Sequence, residues 1–177
     1  GFSTVRHVVL MDDGAPAPDA DAIRAEVHDY EDLLAGVEPA EWKRVEENQA
    51  GSMMYTSGTT GNPKGVVYSH RSMVLHTFGA MMADTIGVSE RDVVLPVVPM
   101  FHANAWGFAH AAVATGATIV MPGADLSAPS LADIIETEKV TVAAGVPTIW
   151  MGVLPELEGR DVSALRAIPC GGSAVPK

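Results

Sequence analysis

The segment Tyr55-Thr56-Ser57-Gly58-Thr59-Thr60-Gly61-Asn62-Pro63-Lys64-Gly65 limits what this chain can be more than any other part of it. Strand-forming runs flank it at Ser52–Thr56 and Gly65–Ser69. Four serine and threonine hydroxyls, three glycines and one lysine sit together in the segment, and each residue type suits a polyphosphate. Glycines let backbone N–H groups approach oxygen closely. The hydroxyls of Thr56, Ser57, Thr59 and Thr60 donate hydrogen bonds, and Lys64 brings a mobile positive charge. The segment is not a Walker loop, because Lys64 follows Pro63 and precedes Gly65 instead of standing in a Gly-Lys-Ser/Thr ending. On chemistry alone two readings stay open, a phosphate cradle and a ligand-free surface hairpin rich in Ser, Thr and Gly.

Around this segment the chain alternates β-branched apolar runs with helical stretches, which predicts an α/β layered domain with a mostly parallel or mixed sheet and flanking helices. Thr4–Met11 reads as a strand and Ala20–Ala35 as an amphipathic helix. Helices are expected near Arg71–Met82, Trp106–Ala114 and Pro129–Glu138, the last capped by Ser127 or Ser130, and a short one after Pro147. Further strands are expected at Val93–Val98, Ala117–Met121, Val140–Ala144 and Leu165–Pro169. Asp12–Asp19 and Val37–Ala50 read as irregular.

Composition narrows the classes of partner. A net charge of −11, concentrated in Asp12 to Glu47, repels phosphate backbones and argues against nucleic acid. A nucleotide must then be held by a local device. A hydrophobic share of 47% against 19% charged residues fits a folded chain with one ordinary core. No apolar run is long enough to span a bilayer, the first ten residues lack the features of a signal peptide, and the single cysteine, Cys170, excludes an internal disulfide framework. A cytoplasmic protein is the expectation.

The run Tyr55–Val67 resembles, without a break, the signature loop of the adenylate-forming superfamily, which includes acyl-CoA and aryl-CoA synthetases, luciferases and peptide-synthetase adenylation domains. The resemblance implies that Thr56, Ser57, Gly58, Thr59, Thr60, Gly61 and Lys64 bind the β- and γ-phosphates of ATP, and that Thr56 helps place magnesium. A second block, Pro96–Gly107, resembles the Pro-Met-Phe-His element of fatty acyl-CoA synthetases. It implies that His102 stands beside the adenylate and acyl carboxylate and that Trp106 is a wall or gate of the acyl pocket. Taken alone, both residues read as ordinary core or helix-start positions. A third block, Gly145-Val146-Pro147-Thr148 with Gly171-Gly172-Ser173-Ala174, resembles the element that packs against adenosine and borders the acyl site. Gly171, Gly172 and Ser173 are the implied nucleotide contacts, and Gly172 and Ala174 the implied acyl contacts.

The implied chemistry has two steps. A carboxylate attacks the α-phosphate of ATP to give an acyl-adenylate and pyrophosphate, and the thiol of coenzyme A then displaces AMP. Lys64 and magnesium neutralise phosphate charge, so no protein nucleophile is needed. Later family elements are missing from these residues: the Tyr-Gly-x-Thr-Glu glutamate, the ribose-binding aspartate and a C-terminal domain with its lysine. The expectation is therefore a partial N-terminal AMP-binding domain over residues 1–177, without the C-terminal lid, inactive alone and open to self-association, a homodimer included. Other adenylate-forming ligases and a noncatalytic nucleotide-binding module are the alternatives. Cys170 reads as a buried hydrophobe, and His7, His28, His76 and His110 show no spacing with carboxylates or cysteines that would mark a zinc site.

Overall fold

Two compact units, Gly1–Arg44 and Val45–Lys177, make up the chain. The computed structural model describes residues 4–11, 25–56 and 62–175. In the first unit, strand β1 (His7–Leu10) pairs in parallel with β2 (Glu26–Asp29), in register from His7↔Glu26 to Leu10↔Asp29. Helix α1 (Tyr30–Leu34) follows, and Asp29 caps it by accepting from the N–H of Asp32 at 3.0 Å. This corrects the helix expected over Ala20–Ala35. Ile23, Val27, Tyr30 and Leu34 have helical spacing, yet pairing with β1 claims Glu26–Asp29 as strand, and the helix begins only after the Asp29 cap. Residues 20–24 lie outside the described residues.

The second unit opens with an antiparallel hairpin of β3 (Ala50–Thr56) and β4 (Lys64–Ser69). Ser69 caps helix α2 (His70–Met81), its hydroxyl accepting from the N–H of Ser72 at 3.1 Å. Strand β5 (Val93–Pro96), a 3-10 turn (Ala103–Gly107), helix α3 (Phe108–Thr115), strand β6 (Thr118–Ile119), helix α4 (Ala128–Thr137), strand β7 (Val142–Ala144) and helix α5 (Pro147–Glu156) complete the order. Ser127 stands at the N-cap of α4 as expected, but its side chain makes no capping bond. The three later strands form a parallel sheet in the order β6-β5-β7. In place of the strand expected at Leu165–Pro169, single parallel bridges Val142↔Ala167 and Gly145↔Cys170 carry the sheet one segment further.

Helices cover both faces of this sheet, as a parallel sheet requires. The period of two sends Val94, Val142 and Ala144 to one side, where they meet Phe108 and Ala111 of α3. Leu95 and Ala143 go to the other, against Leu131, Ile135 and Val153 of α4 and α5. All of these are fully or almost fully buried. Among the described residues no helix is long and apolar enough to cross a membrane.

A buried carboxylate ties the bridging segment to the sheet. Asp92, only 4% exposed, accepts from Arg166 Nε and Nη2 at 2.8 Å each, from Thr141 Oγ1 at 2.7 Å and from Ser89 N at 2.8 Å. Arg166 also donates to the carbonyl oxygens of Ile86 and Gly87. The Arg166 guanidinium, helped by Thr141 and Ser89 and opposed by desolvation, holds the Asp92 carboxyl well below the usual carboxylate range. Because the folded state depresses this pKa, the stabilisation is complete above the unfolded value near 4 and is lost as pH falls below it. Arg166→Ala leaves the Asp92 charge buried without its main partner. The expected cost is about 3 kcal/mol, the low end for a broken buried pair because Arg166 itself is partly exposed. Urea unfolding at pH 7 measures it, and the gap between wild type and variant should close on acidification.

Candidate functional site

Three blocks far apart in sequence leave the sheet at one edge. β5, β7 and the segment ending at Cys170 all run parallel, so Val97–Gly107, Gly145–Val146 and Gly171–Ala174 follow their carboxyl ends, where open α/β sheets form ligand crevices. The N–H groups of Val97 and Val98 donate to the carbonyl of Ala144 at 2.8 and 3.2 Å, which fixes the first block beside the second. At Gly145 the indole of Trp150 fills the space a side chain would need, since a Cβ there would lie 2.9 Å from its Cε2.

The turn that carries Trp106 is strained. Ala103, Asn104, Ala105 and Trp106 have φ of 48, 51, 49 and 55°, followed by Gly107 at 78°. Left-handed backbone costs a non-glycine residue about 1–2 kcal/mol, so neighbouring contacts must impose it. Ser52 Oγ on β3 donates to Asn104 Oδ1 at 3.5 Å, Ala105 is wholly buried, and His76 Nε2 on α2 lies 2.9 Å from the carbonyl oxygen of Trp106. A carbonyl only accepts, so His76 donates from Nε2. Gly107 fits under the same imidazole: a Cβ there would fall 2.5 Å from His76 Cδ2. The expected helix at Trp106 therefore begins only at Phe108, after a left-handed turn that aims the indole.

That indole meets the third block. A Cβ on Gly171 would stand 3.6 Å from Cη2 and Cζ2 of Trp106. Gly172 has φ of 88°, a conformation that favours glycine, with Val146 Cγ1 3.5 Å from where its Cβ would lie. Ser173 and Ala174 are exposed beyond it. A cavity of about 470 Å³ opens on the other elements, with Tyr68 of β4 and Ser72, Met73 and His76 of α2 facing Trp106 and His110. Its volume lies within the usual range of small-molecule sites. His102 is exposed at the edge of the turn, where its N–H donates to Pro99 O at 3.1 Å, and it does not line the cavity.

On the hairpin, Thr56 and Lys64 are register partners at the mouth of the loop, and opposed residues of an antiparallel pair project to the same face. The half-buried Thr56 hydroxyl and the exposed Lys64 ammonium thus flank the loop from one side. The ion pairs of this unit among the described residues engage Arg71, Lys139, Arg160 and Arg166, not Lys64. Ser57, Gly58, Thr59, Thr60 and Gly61 lie outside the described residues.

Sequence reasoning missed His76, Tyr68, Ser72, Met73 and His110. The available signal was weak: Ser72, Met73 and His76 share one face of α2 at spacings of three and four, but nothing local says that this face meets Trp106.

A family model described as AMP-binding enzyme matches residues 3–177, and the chain belongs to that family. It is 47% identical over 179 residues to the 3-methylmercaptopropionyl-CoA ligase of Ruegeria pomeroyi, covering 99% of this chain and 33% of that protein. It is 50% identical over 150 residues to the medium-chain-fatty-acid–CoA ligase of Ectopseudomonas oleovorans, covering 83% of this chain and 28% of the relative. The fold matches a crystal structure of a long-chain-fatty-acid-CoA ligase from Archaeoglobus fulgidus with a TM-score of 0.72 at 28% identity, over 85% of this chain and 32% of that one. The chain thus spans about a third of the length of the relatives it matches.

Proposed function

We propose that the whole protein activates a fatty acid with ATP, forming an acyl-adenylate and then an acyl-CoA. One observation carries this reading: the hairpin that holds Thr56 and Lys64 at its loop also supplies, through Tyr68, a wall of the cavity bounded by Trp106. Lys64 and Tyr68 are four residues apart on β4, about 13 Å along a strand. A single ligand can therefore present a polyphosphate to the loop and an apolar tail to the cavity.

Attack of a carboxylate on a phosphate brings two anions together, and the residues at hand lower that barrier by electrostatics and positioning. Lys64 supplies positive charge where the leaving pyrophosphate builds negative charge. By their residue types, Ser57, Thr59 and Thr60 would add hydroxyl donors, and glycine at 58 and 61 would permit backbone N–H groups to approach phosphate oxygen. Gly171, Gly172 and Ser173 offer a surface without bulky side chains to the adenosine, and His102 is proposed to approach the adenylate and the acyl carboxylate. Gly172 and Ala174 border the acyl side. The donor set suits magnesium: the Thr56 hydroxyl is one hard oxygen ligand, and that ion usually takes its others from phosphate and water. When bound it would neutralise phosphate charge. Coenzyme A is the proposed acceptor, a cytoplasmic setting fits the supply of ATP and coenzyme A, and a homodimer is the oligomer to test by light scattering.

Trp106→Ala tests the assignment of the cavity. Removing the indole should widen the pocket and move the preferred acid toward longer or bulkier chains, with a severalfold change in the ratio of kcat/KM between medium- and long-chain acids. AMP release by the full-length protein measures it, and an unchanged acid profile would remove Trp106 from the acyl wall.

A further inference from the structure

The first unit brings together three side chains of metal-ligating type, His7, Glu26 and His28, that the sequence spacing conceals. His7 lies opposite Glu26 in the β1–β2 ladder, and the period of two places His28 on the same face as Glu26. Three ligand atoms converge there. His7 Nδ1 stands 3.0 Å from His28 Nε2 and 3.3 Å from Glu26 Oε2, and His28 Nε2 stands 3.9 Å from the same carboxylate oxygen. Ligands held about 2.0–2.1 Å from a tetrahedral zinc are separated by about 3.3 Å, and the observed separations bracket that value. The side chains already stand at the spacing of a coordination shell, without rearrangement of the strands.

We propose that His7, Glu26 and His28 bind a divalent first-row transition ion of the zinc type. Two imidazoles and one carboxylate are a borderline donor set that suits zinc and its neighbours, whereas magnesium and calcium prefer oxygen ligands alone. With His7 and Glu26 well exposed, water completes the shell, as in zinc sites with three protein ligands. The ion would bridge β1 and β2. A two-stranded pairing is weak by itself, so a ligand from each strand gives the ion a structural role, separate from any magnesium at the nucleotide.

Calorimetric titration of the full chain with zinc chloride alone tests the proposal, with magnesium chloride as a second arm. One saturable zinc site is expected, which magnesium at equal concentration does not displace. His7→Ala and His28→Ala should each weaken it by at least about tenfold, with Glu26→Gln, which keeps the side-chain shape, weakening it as well. Far-UV circular dichroism confirms that each variant keeps its fold, and the exposure of His7 and Glu26 favours that. Absence of a saturable site would leave the two histidines as a hydrogen-bonded cross-strand pair and overturn the proposal. So would a site that survives in the double His7→Ala/His28→Ala variant, or one that magnesium displaces.

Discussion

Replacing Lys64 by alanine in the full-length protein is expected to slow acid activation by about 10²–10³-fold, the usual loss when one group that stabilises a developing charge is removed. The residue begins β4 opposite Thr56, so the hairpin sets the direction from which its ammonium reaches the loop. The loss should fall mainly on kcat, because in the proposed reaction the charge would be needed most as pyrophosphate leaves. Lys64→Arg keeps the charge but replaces a compact ammonium with a planar fork, and should recover only part of the rate. Single-turnover formation of the acyl-adenylate separates chemistry from binding. Equal rates in wild type and Lys64→Ala would remove this residue from the reaction.

Gly107→Ala should be the most damaging change to the fold near the cavity. Its φ of 78° costs an alanine about 1–2 kcal/mol. The added Cβ also meets His76 Cδ2 at 2.5 Å, an overlap of the kind that costs about 1–3 kcal/mol in a packed site. For a chain of this size the sum lowers Tm by on the order of 10 °C. Relief of the overlap pushes on His76 and so on its bond to the Trp106 carbonyl, which makes the acid profile shift together with stability. The double variant Gly107→Ala/His76→Ala removes the overlap but not the backbone cost, so its loss should be smaller than the sum of the two single losses. Simple additivity would mean that the two residues do not press on each other.

These two sites were legible to different degrees. The hairpin could be read from residues alone, because strand-forming runs bracket a glycine- and hydroxyl-rich stretch, and the structure pairs Met54↔Val66 and Thr56↔Lys64 on either side of it. The parallel sheet was legible for a similar reason: Val93–Pro96 and Val142–Ala144 are apolar runs separated by helical periods. The left-handed turn was not. Ala103, Asn104, Ala105 and Trp106 have no local preference for positive φ as a group, and contacts from Ser52 and His76, both distant in sequence, impose it. The strand Glu26–Asp29 was hidden by helical spacing that pairing with β1 overrides. The approach of His7 to Glu26 and His28 depends on that same register, so no count of residues between ligands could have found it.

The central claim is that a carboxylic acid and ATP react at the carboxyl edge of this sheet, beside the hairpin on which Thr56 and Lys64 are register partners. Acid-dependent exchange of labelled pyrophosphate into ATP by the full-length protein, across fatty, aryl and amino acids, tests it most directly. Exchange should require an acid, saturate best with a fatty acid and fall by the same factor of about 10²–10³ in Lys64→Ala. ATP turnover without acid-dependent exchange, or exchange that no fatty acid supports, would contradict it.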